Sequence, residues 1–152
     1  MKNLYVASRK ITCVSEPTKI MSHKVTSSQI AADFARQFYH EDIELYESFF
    51  LIMMNQANVI TSYAKISQGG IAGTVVDPKI IMKYAVDDLA ASVIMVHNHP
   101  SGSLVASGPD KTITEKVHNA LSYIDCKLFD HIILTKSNYL SFMDSGISPF
   151  HI

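Results

Sequence analysis

Hydrophobic positions along the chain change period several times, and each change marks an element. Leu4 to Val14 alternates loosely between apolar and polar residues and predicts a strand at a sheet edge. Ser27-Ser28 offers a helix N-cap, and Ile30, Ala31, Phe34, Ala35 and Phe38 follow at three- and four-residue spacing. That amphipathic helix is predicted to end near Tyr39 or His40. Glu47 then opens the run Ser48-Phe49-Phe50-Leu51-Ile52-Met53-Met54, whose unbroken apolar character suits a strand buried on both faces. Asn55 to Asn58 is a hairpin turn into a strand from Val59 to Ile66, which Gln68-Gly69-Gly70 ends. Asp77-Pro78 reads as the N-cap and first residue of a helix to about Ala90, with Ile80, Ile81, Tyr84, Ala85, Val86 and Leu89 facing inward.

Ser92 to Val96 is a further buried strand that runs into His97-Asn98-His99-Pro100-Ser101-Gly102, where Pro100 and Gly102 force the chain out of the sheet. Ser107-Gly108-Pro109-Asp110 starts a helix to about Tyr123, through Ile113, Val117, Ala120 and Leu121. Phe129 to Leu134 predicts a strand, and Tyr139 to Phe142 a short last one beyond a turn at Lys136 to Asn138. Strands and helices interleave, yet the hairpin argues against a purely parallel sheet. The expected class is α/β: a mixed sheet with antiparallel pairs, flanked by helices. With no repeat or linker to divide it, the sequence is expected to form an N-terminal extension with its edge strand (1–26) and one domain (27–152).

Composition agrees with a packed domain, since 47% apolar against 18% charged residues can close a core and excludes a disordered chain. The apolar run at Phe49 to Met54 meets Asn55, Gln56 and Asn58 well short of the roughly 20 residues that a membrane helix needs. Lys2 is followed by neither an apolar block nor a cleavage site, so a soluble, cytoplasmic protein is expected. Cys13 and Cys126 form no C-x-x-C pair, which suggests neither a disulfide framework nor a thiolate metal site. Lys2, Arg9, Lys10, Lys19 and Lys24 stand against Glu16 alone near the N-terminus of a chain whose net charge is −1. So sparse a basic arm gives no broad footprint for nucleic acid.

The chemistry concentrates after Val96. His97 and His99 are two apart at the end of a strand, and a period of two sends both imidazoles to one side. Asp110 follows at the first turn of a helix, where the intervening Pro-Ser-Gly loop can return it to both rings. Two neutral imidazoles and a carboxylate, with a fourth position for water, form the ligand set of a catalytic zinc site. A structural site would use four protein ligands, usually with thiolates.

Hydrolysis at such a metal also needs a proton acceptor, and the chain has five glutamates, Glu16, Glu41, Glu44, Glu47 and Glu115. Glu115 lies roughly 140° round the helix from Asp110 and faces away. Glu16 falls in the basic arm, and Glu41 and Glu44 in a polar connection. Glu47 adjoins a buried strand, where a carboxylate is costly unless a polar group receives it. It is the candidate general base. Ser107, three residues before Asp110, has two compatible roles: donating to the oxyanion of a tetrahedral intermediate, or closing a capping box with Asp110. His131, beside Asp130 at the head of an apolar strand, reads as a packed residue or a support for a ligand rather than a ligand itself. His23, His40, His118 and His151 read as ordinary surface, helix-face or terminal residues, and Cys126 as packed under the last long helix.

His97-x-His99, seven residues, Ser107, two residues and Asp110 together resemble the JAMM metal motif of the MPN (JAB) domain metalloproteases, among them deubiquitinating isopeptidases. Val96-His97-Asn98-His99-Pro100-Ser101-Gly102, with Asp130-His131-Ile132-Ile133, is similar in particular to the bacterial RadC-type branch, and the resemblance runs from about Ser27 to Ile147. It implies the JAB/MPN, cytidine-deaminase-like architecture. It also implies zinc on His97, His99 and Asp110, with catalysis by Glu47 and Ser107 and a peptide or protein substrate. RadC-type proteins usually carry a helical, DNA-binding-like region ahead of this domain, and only 46 residues precede Glu47 here. The expectation is therefore a domain without that region and without support for a DNA-repair role. The leading reading is a zinc-dependent peptidase or isopeptidase. The alternatives are a metal-stabilised binding module for a protein or nucleic-acid partner, and a metal-dependent nuclease or other hydrolase, disfavoured because phosphodiester chemistry often uses two metals in carboxylate-rich sites.

Overall fold

A computed structural model describes residues 23–69 and 74–151; the predicted strand at Leu4 to Val14 and Cys13 lie outside these residues. Among the described residues, helix α1 (Ser28–Arg36) precedes a 3-10 turn at Glu41–Glu44, and strands β1 (Ser48–Met54) and β2 (Ile60–Gln68) follow. Helix α2 (Pro78–Asp87) leads to β3 (Ser92–Asn98), helix α3 (Gly108–Ser122) to β4 (Lys127–Leu134), and β5 (Tyr139–Ser141) ends the sheet. The strand order is β2-β1-β3-β4-β5, antiparallel except for the parallel β3–β4 pair that α3 connects. The sheet is therefore mixed and carries helices on both faces, as its sequence pattern predicts.

Period-two alternation sorts the central strands between two cores. Phe50, Ile52, Met54, Ile94, Val96, Ile132 and Leu134 pack on one face with Phe34 and the alanines of α1. Phe49, Leu51, Met53, Val93 and Met95 pack on the other with Ile81 and Ala85 of α2 and Val117 and Leu121 of α3. Every residue of β1 is buried because strands flank it on both sides and helices cover both faces. The β1–β2 turn is closed by the Asn55 carboxamide oxygen, which accepts from Ala57 N and Val59 N at 2.9 and 3.1 Å, with Asn58 left-handed at φ 57°. The Arg36 guanidinium ties α1 to the β4–β5 turn by donating to the carbonyls of Thr135, Lys136 and Asn138.

Four boundaries differ from the sequence pattern. Helix α1 stops at Arg36, and Phe38 and Tyr39 continue only as a turn, still packed on the core. Helix α2 ends at Asp87, before Leu89 turns left-handed at φ 53°, and only Ile81 and Ala85 are fully covered. Val86 and Leu89, expected inside, are 50% and 87% exposed, and Ile80 is exposed as well. Apolar spacing overcounts here because the stripe that this helix lays on the core is narrow, Ile81 and Ala85 with the half-buried Tyr84 beside them. Strand β3 continues through His97 and Asn98, and β4 starts at Lys127, since Asn98 still pairs with Leu134 and Ser92 with Lys127. Among the described residues no helix is long and apolar enough to cross a membrane.

Candidate metal centre

The site forms where β3 leaves the sheet and α3 begins. His97 is the last but one residue of β3, pairs with Phe49 of β1 and Ile133 of β4, and is 1% exposed. Its ring lies flat against Phe49, with centroids 5.6 Å apart and planes 7° from parallel. His99 leaves the strand while its backbone N–H still donates to Leu134 O at 2.9 Å. Gly102, at φ 80°, turns the loop back to α3, a conformation that an L side chain would strain.

Helix α3 begins with a complete capping box. The Ser107 hydroxyl oxygen accepts from Asp110 N at 3.1 Å, and the Asp110 carboxylate accepts from Ser107 N at 2.8 Å. These bonds hold the Asp110 carboxylate where it meets both imidazoles, 3.2 Å from His97 Nε2 and 3.5 Å from His99 Nε2. The two Nε2 atoms are 3.0 Å apart, and the three donor groups all lie within 4.8 Å of one another. Replacing Ser107 with alanine removes the cap and should cost about 1 kcal/mol, read as a lower midpoint of urea unfolding at unchanged slope.

The donor set fits a cation. The Ser103 carbonyl lies 2.8 Å from His99 Nδ1 and only accepts, so His99 carries its proton there and turns Nε2 to the cluster. Burial alone would raise the Asp110 carboxyl, but hydrogen bonds with His97 and His99 outweigh it and hold the group far below the ordinary carboxylate range. The same carboxylate, ahead of opposing desolvation, raises the His99 imidazole above its usual value. Two imidazole nitrogens and a carboxylate oxygen gathered this closely are the donor set of a three-residue divalent-metal site.

Glu47 stands one residue before β1 and is half-buried. The register pairs Phe49 with His97, which makes Glu47 the position across from His99 and on the same face of the sheet. His99 is raised first by its hydrogen bond with Asp110 and least by the charge of Glu47, whose carboxylate stands outside the three-donor cluster. Of the other glutamates, Glu44 is exposed and pairs with Lys136 at 2.9 Å, and Glu115 accepts from the Ser148 hydroxyl at 2.6 Å. His131 is fully buried on β4 between Phe49 and Phe142 and meets His97 Nδ1 through Nε2 at 2.8 Å, so it contacts the cluster through His97 without being one of its three donors. Burial first, then the neighbouring His97, holds its ring well below the ordinary histidine value. His23, His40 and His151 are exposed and His118 is half-buried on α3, as read from the sequence. Cys126 is buried, and that burial pushes its thiol up to about 11, the opposite of activation.

Two residues went unread in the sequence. Asn98, between the histidines, is fully buried: its side-chain oxygen accepts from Ser48 N, and its amide donates to Ile43 O and Tyr46 O, all at 2.7 Å. It thereby holds the backbone on both sides of Glu47. Thr114, one turn after Asp110 on α3, is also fully buried and meets both the Asp110 carbonyl and His131. An asparagine on a strand between the two clustered histidines, and a threonine four residues after the clustered aspartate, are the signals that the sequence offers.

A β1–β3 framework presenting His-x-His to a helix-capping aspartate defines a JAB-type metal-binding domain, and comparison with known proteins agrees. Residues 25–147 match the family described as RadC-like JAB domain, and the chain belongs to that family. A UPF0758 protein of Flavobacterium johnsoniae is 40% identical over 124 residues, 82% of this chain and 53% of that protein. The UPF0758 protein YfjY of Escherichia coli K12 is 32% identical over 139 residues, 91% of this chain and 86% of its own length. A UPF0758 protein of Porphyromonas gingivalis is 36% identical over 102 residues, 66% of this chain and 45% of that one. The chain thus spans about half the length of the Flavobacterium and Porphyromonas relatives, and none of these names states a reaction.

Proposed function

We propose that this domain is a zinc-dependent hydrolase of peptide or isopeptide bonds, with His97, His99 and Asp110 as the metal ligands. The observation that carries the reading is the convergence of three electron-pair donors within 4.8 Å while the far nitrogen of His99 is tied to a carbonyl. When bound, zinc supplies Lewis acidity, polarising a carbonyl and acidifying a water. The Glu47 carboxylate takes the proton of the attacking water and returns it to the leaving nitrogen as the C–N bond breaks. The Ser107 hydroxyl oxygen already accepts from Asp110 N, which leaves its own proton available to donate to the oxyanion. The substrate is a peptide or a protein, processed in the cytoplasm.

A second reading is a metal-bearing interaction module without turnover. The capping box favours it, because helix capping accounts for Ser107 with no catalytic duty. Metal analysis of the chain purified without chelator, followed by zinc titration, tests the shared premise: one zinc per chain is expected, lost with His99→Ala together with some stability, because metal affinity is partly folding free energy. Absence of zinc uptake at micromolar free metal would overturn both readings. A zinc-loaded chain that cleaves peptide or isopeptide substrates would decide for the first.

A further inference from the structure

The Thr114 hydroxyl lies 2.5 Å from the Asp110 carbonyl oxygen and 2.6 Å from His131 Nδ1. A carbonyl only accepts, so the single hydroxyl proton is committed to Asp110, and His131 Nδ1 must bring a proton of its own. Thr114 thus makes the common bond from a helical threonine to the carbonyl four residues back and meets a second partner on β4. His131 is fully buried, and among the described residues its ring nitrogens hydrogen-bond Thr114 and His97, neither of them a carboxylate. The neutral ring therefore turns an Nε2 lone pair to His97 Nδ1, 2.8 Å away, and His97 must donate.

We propose that Thr114 and His131 form a relay that fixes the proton of His97 on Nδ1 and so leaves Nε2 free for the metal. The inference deepens the metal-site reading and rests on it. The two histidine ligands then reach one tautomer by different means: His99 through the Ser103 carbonyl in a loop, and His97 through a side-chain chain, because β1 and β4 flank β3 at His97 and the neighbouring strand offers a ring there. The relay starts on the backbone of Asp110, so the third ligand and the first are coupled through α3. Thr114 and His131 stand outside the three-donor cluster and are positioning residues, and partners of this kind are worth about 10- to 100-fold in metal affinity.

Long-range proton–nitrogen spectra of the zinc-loaded chain test this directly. His131 should appear as the neutral ring protonated on Nδ1, and His97 should carry its proton on Nδ1 with Nε2 on zinc. An Nε2-protonated or doubly protonated His131 would overturn the proposal without any variant having to fold. Thr114→Val removes the acceptor at little change in size and should weaken zinc binding by about tenfold in chelator competition, with Thr114→Ser restoring it. Equal zinc affinity in the parent and in Thr114→Val would also overturn the relay. A parent chain that binds no zinc would refute the metal reading, and spectra of that metal-free chain would still decide the His131 tautomer.

Discussion

Asn98→Asp is expected to cost about 3–5 kcal/mol, the scale of an uncompensated buried charge and a large share of the roughly 5–15 kcal/mol that holds a domain of this size together. One carboxylate oxygen can still accept from Ser48 N, as the Asn98 oxygen does at 2.7 Å. The other replaces an amide that donates to Ile43 O and Tyr46 O at 2.7 Å each, and so sets an anion directly against two carbonyl oxygens at a fully buried position. Asn98→Ala removes the bonds without adding charge and should cost less, since the chain entering β1 can relax and admit water. Urea unfolding of the three proteins at neutral pH measures both. An aspartate variant as stable as its parent would mean that Asn98 does not hold the entry to β1.

What was legible in the sequence was local. A period of two aligns His97 with His99 whatever the rest of the chain does, and Ser27, Asp77 and Ser107 each start a helix as their side chains require. Asp110 followed from a capping position whose geometry is set within four residues. Asn98 and Thr114 escaped because their partners are remote: Asn98 answers to residues about fifty positions earlier, and Thr114 matters through His131, seventeen positions on. Nothing in the spacing around either residue encodes those meetings. The strand end lies two residues beyond Val96 for a related reason. Pro100 and Gly102 turn the chain, yet β4 keeps pairing as far as Asn98, so His97, read at a strand end, is held inside the sheet.

Glu47→Gln should leave one zinc per chain and lower hydrolysis by about 10²- to 10⁴-fold, the usual cost of losing a general base. The amide keeps the size of the side chain and one acceptor oxygen but cannot take a proton from water. The metal should stay because the three clustered donors do not include Glu47. Register supports the assignment: Glu47 extends β1 by one residue, across from His99 and on the face where Phe49 stacks against His97. Glu44→Gln is the matched control, since that carboxylate is exposed and paired with Lys136, and it should leave turnover unchanged. Turnover and zinc content measured on the same preparations separate the outcomes. If Glu44→Gln silences the protein and Glu47→Gln does not, the base is misassigned and the metal site stands. If the zinc-loaded parent cleaves neither peptide nor isopeptide bonds, the hydrolase reading falls to the interaction module. That module should be as indifferent to a glutamine at position 47 as to one at position 44, because neither carboxylate then has a proton to move.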